Sequence, residues 1–204
     1  MIELYTWNTS NGRKVNIMVE ELGIPYTIHP IDIGEGDQFQ PDYVAINPNS
    51  KIPAIVDTEG PDGKPITVFE SGAILIYLAE KTGRFYPADA HTRYQILQWL
   101  MFQMSAVGPM LGQLHHFKKA AKEQVPYALE RFGTEARRIY GVLDARLKDH
   151  AYLADDYSIA DIAVYPWVSR YDWQEIPLED FPNVKRWFDE IGKRPAVEKG
   201  MNLL

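Results

Sequence analysis

The sequence contains no cysteine. That excludes structural disulfides, cysteine-ligated zinc and a thiol nucleophile belonging to the protein itself, and it fits a reducing compartment. A basic surplus is also missing. The 21 Lys and Arg stand against 28 Asp and Glu, a net charge of −7, so there is no electrostatic footprint for a nucleic-acid partner. Long apolar runs are absent as well. The most apolar stretch, residues 96–117, is broken by Gln98, Gln103, Ser105, Pro109 and Gln113, whereas a membrane helix wants about 18 or more apolar residues with few polar ones. It reads as a buried helix, and no membrane partner is expected. Met1-Ile2-Glu3-Leu4-Tyr5 has neither the basic region nor the apolar core of a secretory signal, so the expected location is cytoplasmic. Internal repeats and low-complexity tracts are lacking. Aromatic residues, in contrast, are plentiful: 12 Tyr, 8 Phe and 5 Trp suit a buried interface or an apolar pocket.

Two rhythms divide the chain. Up to about residue 80, short strand-like runs alternate with helical patterns. Ile2–Tyr5 reads as a strand, and residues 12–22 as a helix with Val15, Met18, Val19 and Leu22 at helical spacing, stopped by Gly23. A second strand is expected over 26–31 and a short helix over 41–45. Strands at 54–57 and 66–69 flank the turn Gly60-Pro61-Asp62-Gly63, and Ser71 is expected to cap a helix carrying Ile74, Leu75 and Leu78. The order β-α-β-α-β-β-α predicts a small mixed sheet covered by helices. Residues 82–87 interrupt both rhythms. The expected division is an α/β domain over 1–82, a linker over 83–91 and an all-α domain over 92–204.

In the second half Tyr94, Leu97, Met101 and Met104 form one stripe, with Ile96, Trp99, Leu100 and Phe102 on other faces. A helix apolar all round belongs in a core or at a subunit interface. Leu129, Phe132, Ala136, Ile139, Leu143 and Leu147 mark a long helix, and Val184, Trp187, Phe188 and Ile191 a short last one. Ser158-Ile159-Ala160-Asp161 matches a capping box, which is a folding element.

Four segments of the first half carry groups for ligand chemistry. Thr9-Ser10-Asn11-Gly12 opens the first helix, where hydroxyls, an amide and unpaired N–H groups favour an anion such as a thiolate. A free thiol titrates near 8.5, and such surroundings lower it. Lys51-Ile52-Pro53 enters a strand through a candidate cis proline, exposing the main chain of Ile52 to an extended peptide. Glu70 and Ser71 offer a counter-charge for an amine and a hydroxyl for a carboxylate, the two ends of an α-amino acid head group. Gln38 and Lys51 are polar groups for a carboxylate at the ligand's far end. Taken singly, a Ser or Thr at a helix start is usually a cap, and an X–Pro bond is usually trans. His115-His116 is a poor metal pair because adjacent residues do not share a helix face; a pocket-wall or interface role is expected instead, and no metal.

In this order and spacing the segments resemble the glutathione site of the glutathione transferase superfamily, over nearly the whole chain. Thr9-x-Asn11, Asn47-Pro48-Asn49-x-Lys51-Ile52-Pro53, Phe69-Glu70-Ser71-Gly72-Ala73-Ile74 and residues 108–117 are most similar to its bacterial nu class. The resemblance implies a thioredoxin-like domain joined to a helical one, a homodimer, and glutathione as cosubstrate. It also implies disulfide-bond oxidoreductase activity through bound glutathione, with glutathione conjugation or a non-catalytic binding module as alternatives. It places Thr9 and Asn11 at the sulfur, Gln38 and Lys51 at the glycine end, the Ile52 main chain at the cysteinyl unit, Glu70 and Ser71 at the γ-glutamyl end, and Arg131 as a further anion contact. Ser10 departs from the expected proline, so Thr9, Ser10 and Asn11 all remain candidates for the main sulfur contact. Tyr5, inside the first strand, is not the expected activator.

Overall fold

A computed structural model describes residues 1–204. Strand β1 (Ile2–Thr6) is central because its alternate residues Ile2, Leu4 and Thr6 are buried while Glu3 and Tyr5 are half-exposed. Helix α1 (Ser10–Leu22) follows, then β2 (Tyr26–Pro30), the short α2 (Pro41–Ile46), β3 (Ala54–Asp57), β4 (Ile66–Phe69) and α3 (Ser71–Thr82). The strands form one sheet in the order β2-β1-β3-β4. β1 runs parallel to β2 and antiparallel to β3, which pairs antiparallel with β4. The parallel pair needs a crossover, supplied by α1; the antiparallel pair needs only the Gly60–Gly63 turn. The core of this unit is Leu4, Val15, Met18, Ile55, Ile74, Leu75 and Leu78, all fully buried.

Local details differ from the expectation at two places that bear on the site. Helix α1 starts at Ser10 rather than Gly12, because Thr9 is its cap: the Gly12 N–H donates to Thr9 Oγ1 at 3.1 Å. Ser71 is not a cap. It is the first helical residue of α3, and the cap position falls on Glu70, whose φ of 69° is left-handed.

The second unit is helical: α4 (Ala90–Phe102), a π turn (Gln103–Val107), α5 (Gly108–His115), a second π turn (His116–Ala120), α6 (Pro126–Leu147), α7 (Ile159–Val168), the single-turn α8 (Tyr171–Gln174) and α9 (Pro182–Gly192). Every residue of α7 is buried. The capping box at its start is complete, with the Ser158 N–H donating to Asp161 and the Ala160 N–H to Ser158 Oγ. Helix α4, apolar on every face in the sequence, buries one of them. Ile96 and Leu100 point inward, whereas Tyr94 and Met101 are exposed at 70% and 45%, because packing selects one face and periodicity alone does not name it.

A last helix, α10 (Pro195–Met201), was not expected, and it leaves the helical unit. One unit comprises Met1–Arg84 together with Arg194–Leu204, the other Phe85–Lys193, so the expected all-α span of 92–204 is corrected at its end. Helix α10 packs on α1, where Gly200 lies against the backbone of Ile17: a Cβ there would stand 2.5 Å from the Ile17 Cα. Arg194 donates twice to Glu21, at 2.6 and 2.9 Å, and Lys199 pairs with Glu20 at 2.8 Å.

Candidate functional site

The sheet register brings three of the four predicted segments to one edge. Tyr5 pairs with Ala54, and Ala54 with Phe69. The turn leaving β1, the entry to β3 and the exit from β4 therefore lie side by side. These are Thr9–Asn11, Lys51–Pro53 and Glu70–Ser71. The end of β2 joins them, since the Ile31 N–H donates to Thr6 O at 3.0 Å. The single turn that follows, Asp37–Phe39, carries Gln38, whose Nε2 donates to Ile33 O at 3.4 Å.

At the first segment Thr9 and Asn11 are half-exposed and Ser10 is 6% exposed. Thr9 Oγ1 already accepts from Gly12, so its own proton is the group it has to offer a ligand. Gly12 is required by close approach: a Cβ would come 2.2 Å from the Trp7 carbonyl and 2.7 Å from Thr6 Oγ1. At the second segment the Ile52–Pro53 bond is cis, and neither the N–H nor the C=O of Ile52 takes part in a backbone hydrogen bond of the chain. The Lys51 side chain is exposed while its carbonyl accepts from Tyr43 Oη and Asn47 Nδ2, both at 2.6 Å.

At the third segment Glu70 is exposed and held at φ 69°, ψ 115°. A non-glycine residue in that region costs on the order of 1–3 kcal/mol and persists where its surroundings impose it, often at a ligand site. Ser71 is 4% exposed, and its Oγ accepts from Lys14 Nζ at 3.2 Å. Lys14 is 1% exposed, and burial lowers its pKa to about 7 although the Glu70 charge opposes the shift.

Lys14, Tyr43 and Asn47 were not anticipated as part of this framework. A signal for Lys14 was present, since it occupies the apolar stripe of α1 one residue before Val15 and four before Met18. Asn47, part of the family-like motif, is 2% exposed and also accepts from the Asn49 N–H at 2.9 Å.

Arg131 is exposed on α6 in the helical unit. Tyr5 stacks on His29 at 4.6 Å, and burial, with the Glu3 charge, raises its pKa and keeps the phenol protonated. In the helical unit His115 stacks on Trp167 at 5.7 Å, and burial with the Arg170 charge lowers its pKa to about 4, so it is neutral. No group of three or more His, Asp and Glu side chains is gathered as a metal would need, and no helix is long and apolar enough to cross a membrane.

A mixed four-stranded sheet, with a cis-proline at one strand entry and two helix starts at the same edge, defines a thioredoxin-type ligand-binding unit followed by helices. Family models place the chain further. The glutathione S-transferase N-terminal domain matches residues 10–81 and the C-terminal domain residues 106–195. The chain belongs to the glutathione S-transferase family. It is 47% identical to the disulfide-bond oxidoreductase YfcG of Escherichia coli K12, over 98% of this chain and 94% of that protein. It is 44% identical to the disulfide-bond oxidoreductase YghU of the same organism, over 98% and 73%. Among solved structures, a Pseudomonas fluorescens family member with two glutathiones bound is 43% identical with a TM-score of 0.95, covering 98% of this chain and 92% of that one. A Pseudomonas putida glutathione transferase with one glutathione disulfide bound per subunit matches at 43% and 0.95, covering 99% and 91%.

Proposed function

We propose that this protein is a glutathione-dependent disulfide-bond oxidoreductase. The observation that carries the reading is the meeting, at one sheet edge, of sulfur-directed donors, an unpaired peptide backbone and an amino-acid subsite in a chain with no sulfur nucleophile of its own. Relatives named for disulfide oxidoreduction, at 47% and 44% identity, support the reaction. Solved relatives holding glutathione or its disulfide support the ligand.

Glutathione lies extended in this reading. Its γ-glutamyl carboxylate meets Ser71 and its amine Glu70; its cysteinyl amide pairs with the Ile52 main chain; its glycine carboxylate meets Lys51 and Gln38. Arg131 is a further anion contact. The thiol faces Thr9 and Asn11, whose donors at the start of α1 favour the thiolate. Ser10, buried, is the less accessible candidate. The thiolate attacks one sulfur of a small disulfide; the S–S bond breaks and the displaced thiolate takes a proton. A second glutathione thiolate then attacks the mixed disulfide, releasing the second thiol and leaving glutathione disulfide. Two glutathiones supply the two electrons, and the protein supplies position and charge. The reaction suits a cytoplasmic, reducing setting.

Turnover of 2-hydroxyethyl disulfide with saturating glutathione tests the reading. Thr9→Ala and Asn11→Ala are each expected to lower kcat by about tenfold or more, the loss of a charge-assisted hydrogen bond to the thiolate. No turnover above the uncatalysed rate would sink the assignment. Unchanged turnover in both variants would shift the sulfur contact to Ser10.

A homodimer belongs to the same reading, supported by the exposed Tyr94 and Met101 on α4. Sedimentation at micromolar concentration is expected to show a dimer, and Met101→Glu to weaken it. A wild-type chain that sediments as a monomer would exclude this.

A further inference from the structure

Lysine is rarely fully buried; Lys14 is 1% exposed, with its ammonium 3.2 Å from Ser71 Oγ. An ammonium has three donors and no acceptor. In this contact the serine oxygen must therefore accept, so the ammonium constrains the direction in which the Ser71 O–H points. Ser71 is also the first residue of α3, where the helix dipole is positive. Three features thus favour negative charge at one point: a buried cation, an oriented hydroxyl and a helix start. Only Glu70, exposed beside them, is negative.

We propose that Lys14 is a positioning residue for the carboxylate of an α-amino-acid head group, acting through Ser71: it orients the hydroxyl and supplies the positive field that the carboxylate meets. The inference rests on the reading of Ser71 as the γ-glutamyl contact. It assigns the two charges of the head group to two sources, the carboxylate to Lys14 through Ser71 and the amine to Glu70.

The geometry carries a pH signature. Burial lowers the Lys14 pKa to about 7, so the field behind Ser71 fades as pH rises through that range, and affinity for a carboxylate fades with it. Several charged groups stand on the elements packed against α1, among them Glu80 and Lys81 of α3, the latter paired with Asp57, and Glu198 of α10. Glu70, at the start of α3, acts on Lys14 and favours its charged form. Arg194 and Lys199 of α10 are paired with Glu21 and Glu20 of α1 itself, and Glu3 of β1 is paired with His29. Stability moves the other way. The folded pKa lies below that of an exposed lysine, so between about 7 and about 10 the unfolded chain binds more protons, and this group's contribution to stability rises with pH. Weaker binding in that window is therefore not unfolding.

The test uses calorimetric titration of the full chain with S-methylglutathione, which has no titrating thiol, and with its analogue lacking the γ-glutamyl α-carboxylate. Lys14→Met is expected to weaken S-methylglutathione about tenfold or more at pH 6.5, the loss of a charge-assisted contact, and to leave the decarboxylated analogue within about twofold. In the wild-type chain the preference for S-methylglutathione over that analogue should shrink from pH 6.5 to 8.5, and in Lys14→Met it should be flat. Equal losses for both ligands, or a wild-type preference independent of pH, would overturn the proposal. Should Lys14→Met not fold, Lys14→Gln takes its place with the same expectation, and equal losses for both ligands overturn the proposal. Ser71→Ala separates the two levels. If it binds S-methylglutathione as the wild type does, the reading of Ser71 fails and this inference with it. If Ser71→Ala is weakened and Lys14→Met is not, only the role of Lys14 fails.

Discussion

Asp161→Ala is expected to lower the unfolding free energy by about 4 kcal/mol at neutral pH, the scale of a buried charge network broken on one side. Asp161 is fully buried and accepts four hydrogen bonds: from the Leu153 N–H at 3.0 Å, the Ser158 N–H at 3.1 Å, Ser158 Oγ at 3.2 Å and Trp187 Nε1 at 2.8 Å. Burial pushes its pKa up to about 6 against those donors, so at pH 7 the carboxylate is still ionised. Alanine leaves the donors without an acceptor in a place water does not reach, and each unsatisfied group costs about 1–3 kcal/mol. The loss exceeds that of a simple cap, about 1 kcal/mol, because the same carboxylate ties the start of α7 to the preceding loop and to Trp187 of α9. Asp161→Asn should recover less than half, since its NH2 must face one of the donors. Urea unfolding measures both. A loss under about 1.5 kcal/mol for alanine would show that the network is replaceable by water.

The second large effect is expected at Gly200. Gly200→Ala should cost about 3 kcal/mol, at the upper end of ordinary overpacking. The added methyl would meet the Ile17 Cα at 2.5 Å, the Ile17 N at 2.6 Å and the Asn16 carbonyl carbon at 2.9 Å. These are backbone atoms of α1, and no rotamer change moves them aside. Helix α10 must lift, which strains the bidentate Arg194–Glu21 contact and the Lys199–Glu20 pair. The expected signature is a lower urea midpoint together with new proteolytic cleavage near residues 194–204, and a faster amide exchange in α1. An unchanged midpoint with an intact C-terminus would mean that the two helices are not in backbone contact.

Much of the fold was legible because its signals are local. Strand alternation in β1, the Gly60–Gly63 turn, the stop at Gly23 and the Ser158–Asp161 box each depend on a few consecutive residues and their own backbone hydrogen bonds. The candidate site was legible as segments for the same reason: a helix start announces itself by Thr9, and a strand entry by Pro53. Even so, periodicity misplaced two details. It put the start of α1 at Gly12, because the helical spacing of apolar residues begins only at Val15 and does not reach back to Thr9, whose oxygen accepts from Gly12. It made Ser71 a cap, because nothing in Phe69-Glu70-Ser71 shows that Glu70 takes the left-handed conformation and hands Ser71 the first helical position.

The sequence by itself determined the two-part division, the order of the elements in the first half, and which short segments carry donors, acceptors and counter-charges, since these follow from spacing and from side-chain chemistry. Tertiary structure alone decided what lies beside what. The pairing of Tyr5 with Ala54 joins the first strand to a hairpin that lies far along the chain, and pairing across that distance leaves no trace in local pattern. The docking of α10 on α1 depends on Gly200 meeting the Ile17 backbone, a contact between helices at opposite ends of the chain. Lys14 stands in the apolar stripe of α1, but that its ammonium is buried against Ser71 shows only in the packed chain, because burial is a property of the packed chain and not of the residue.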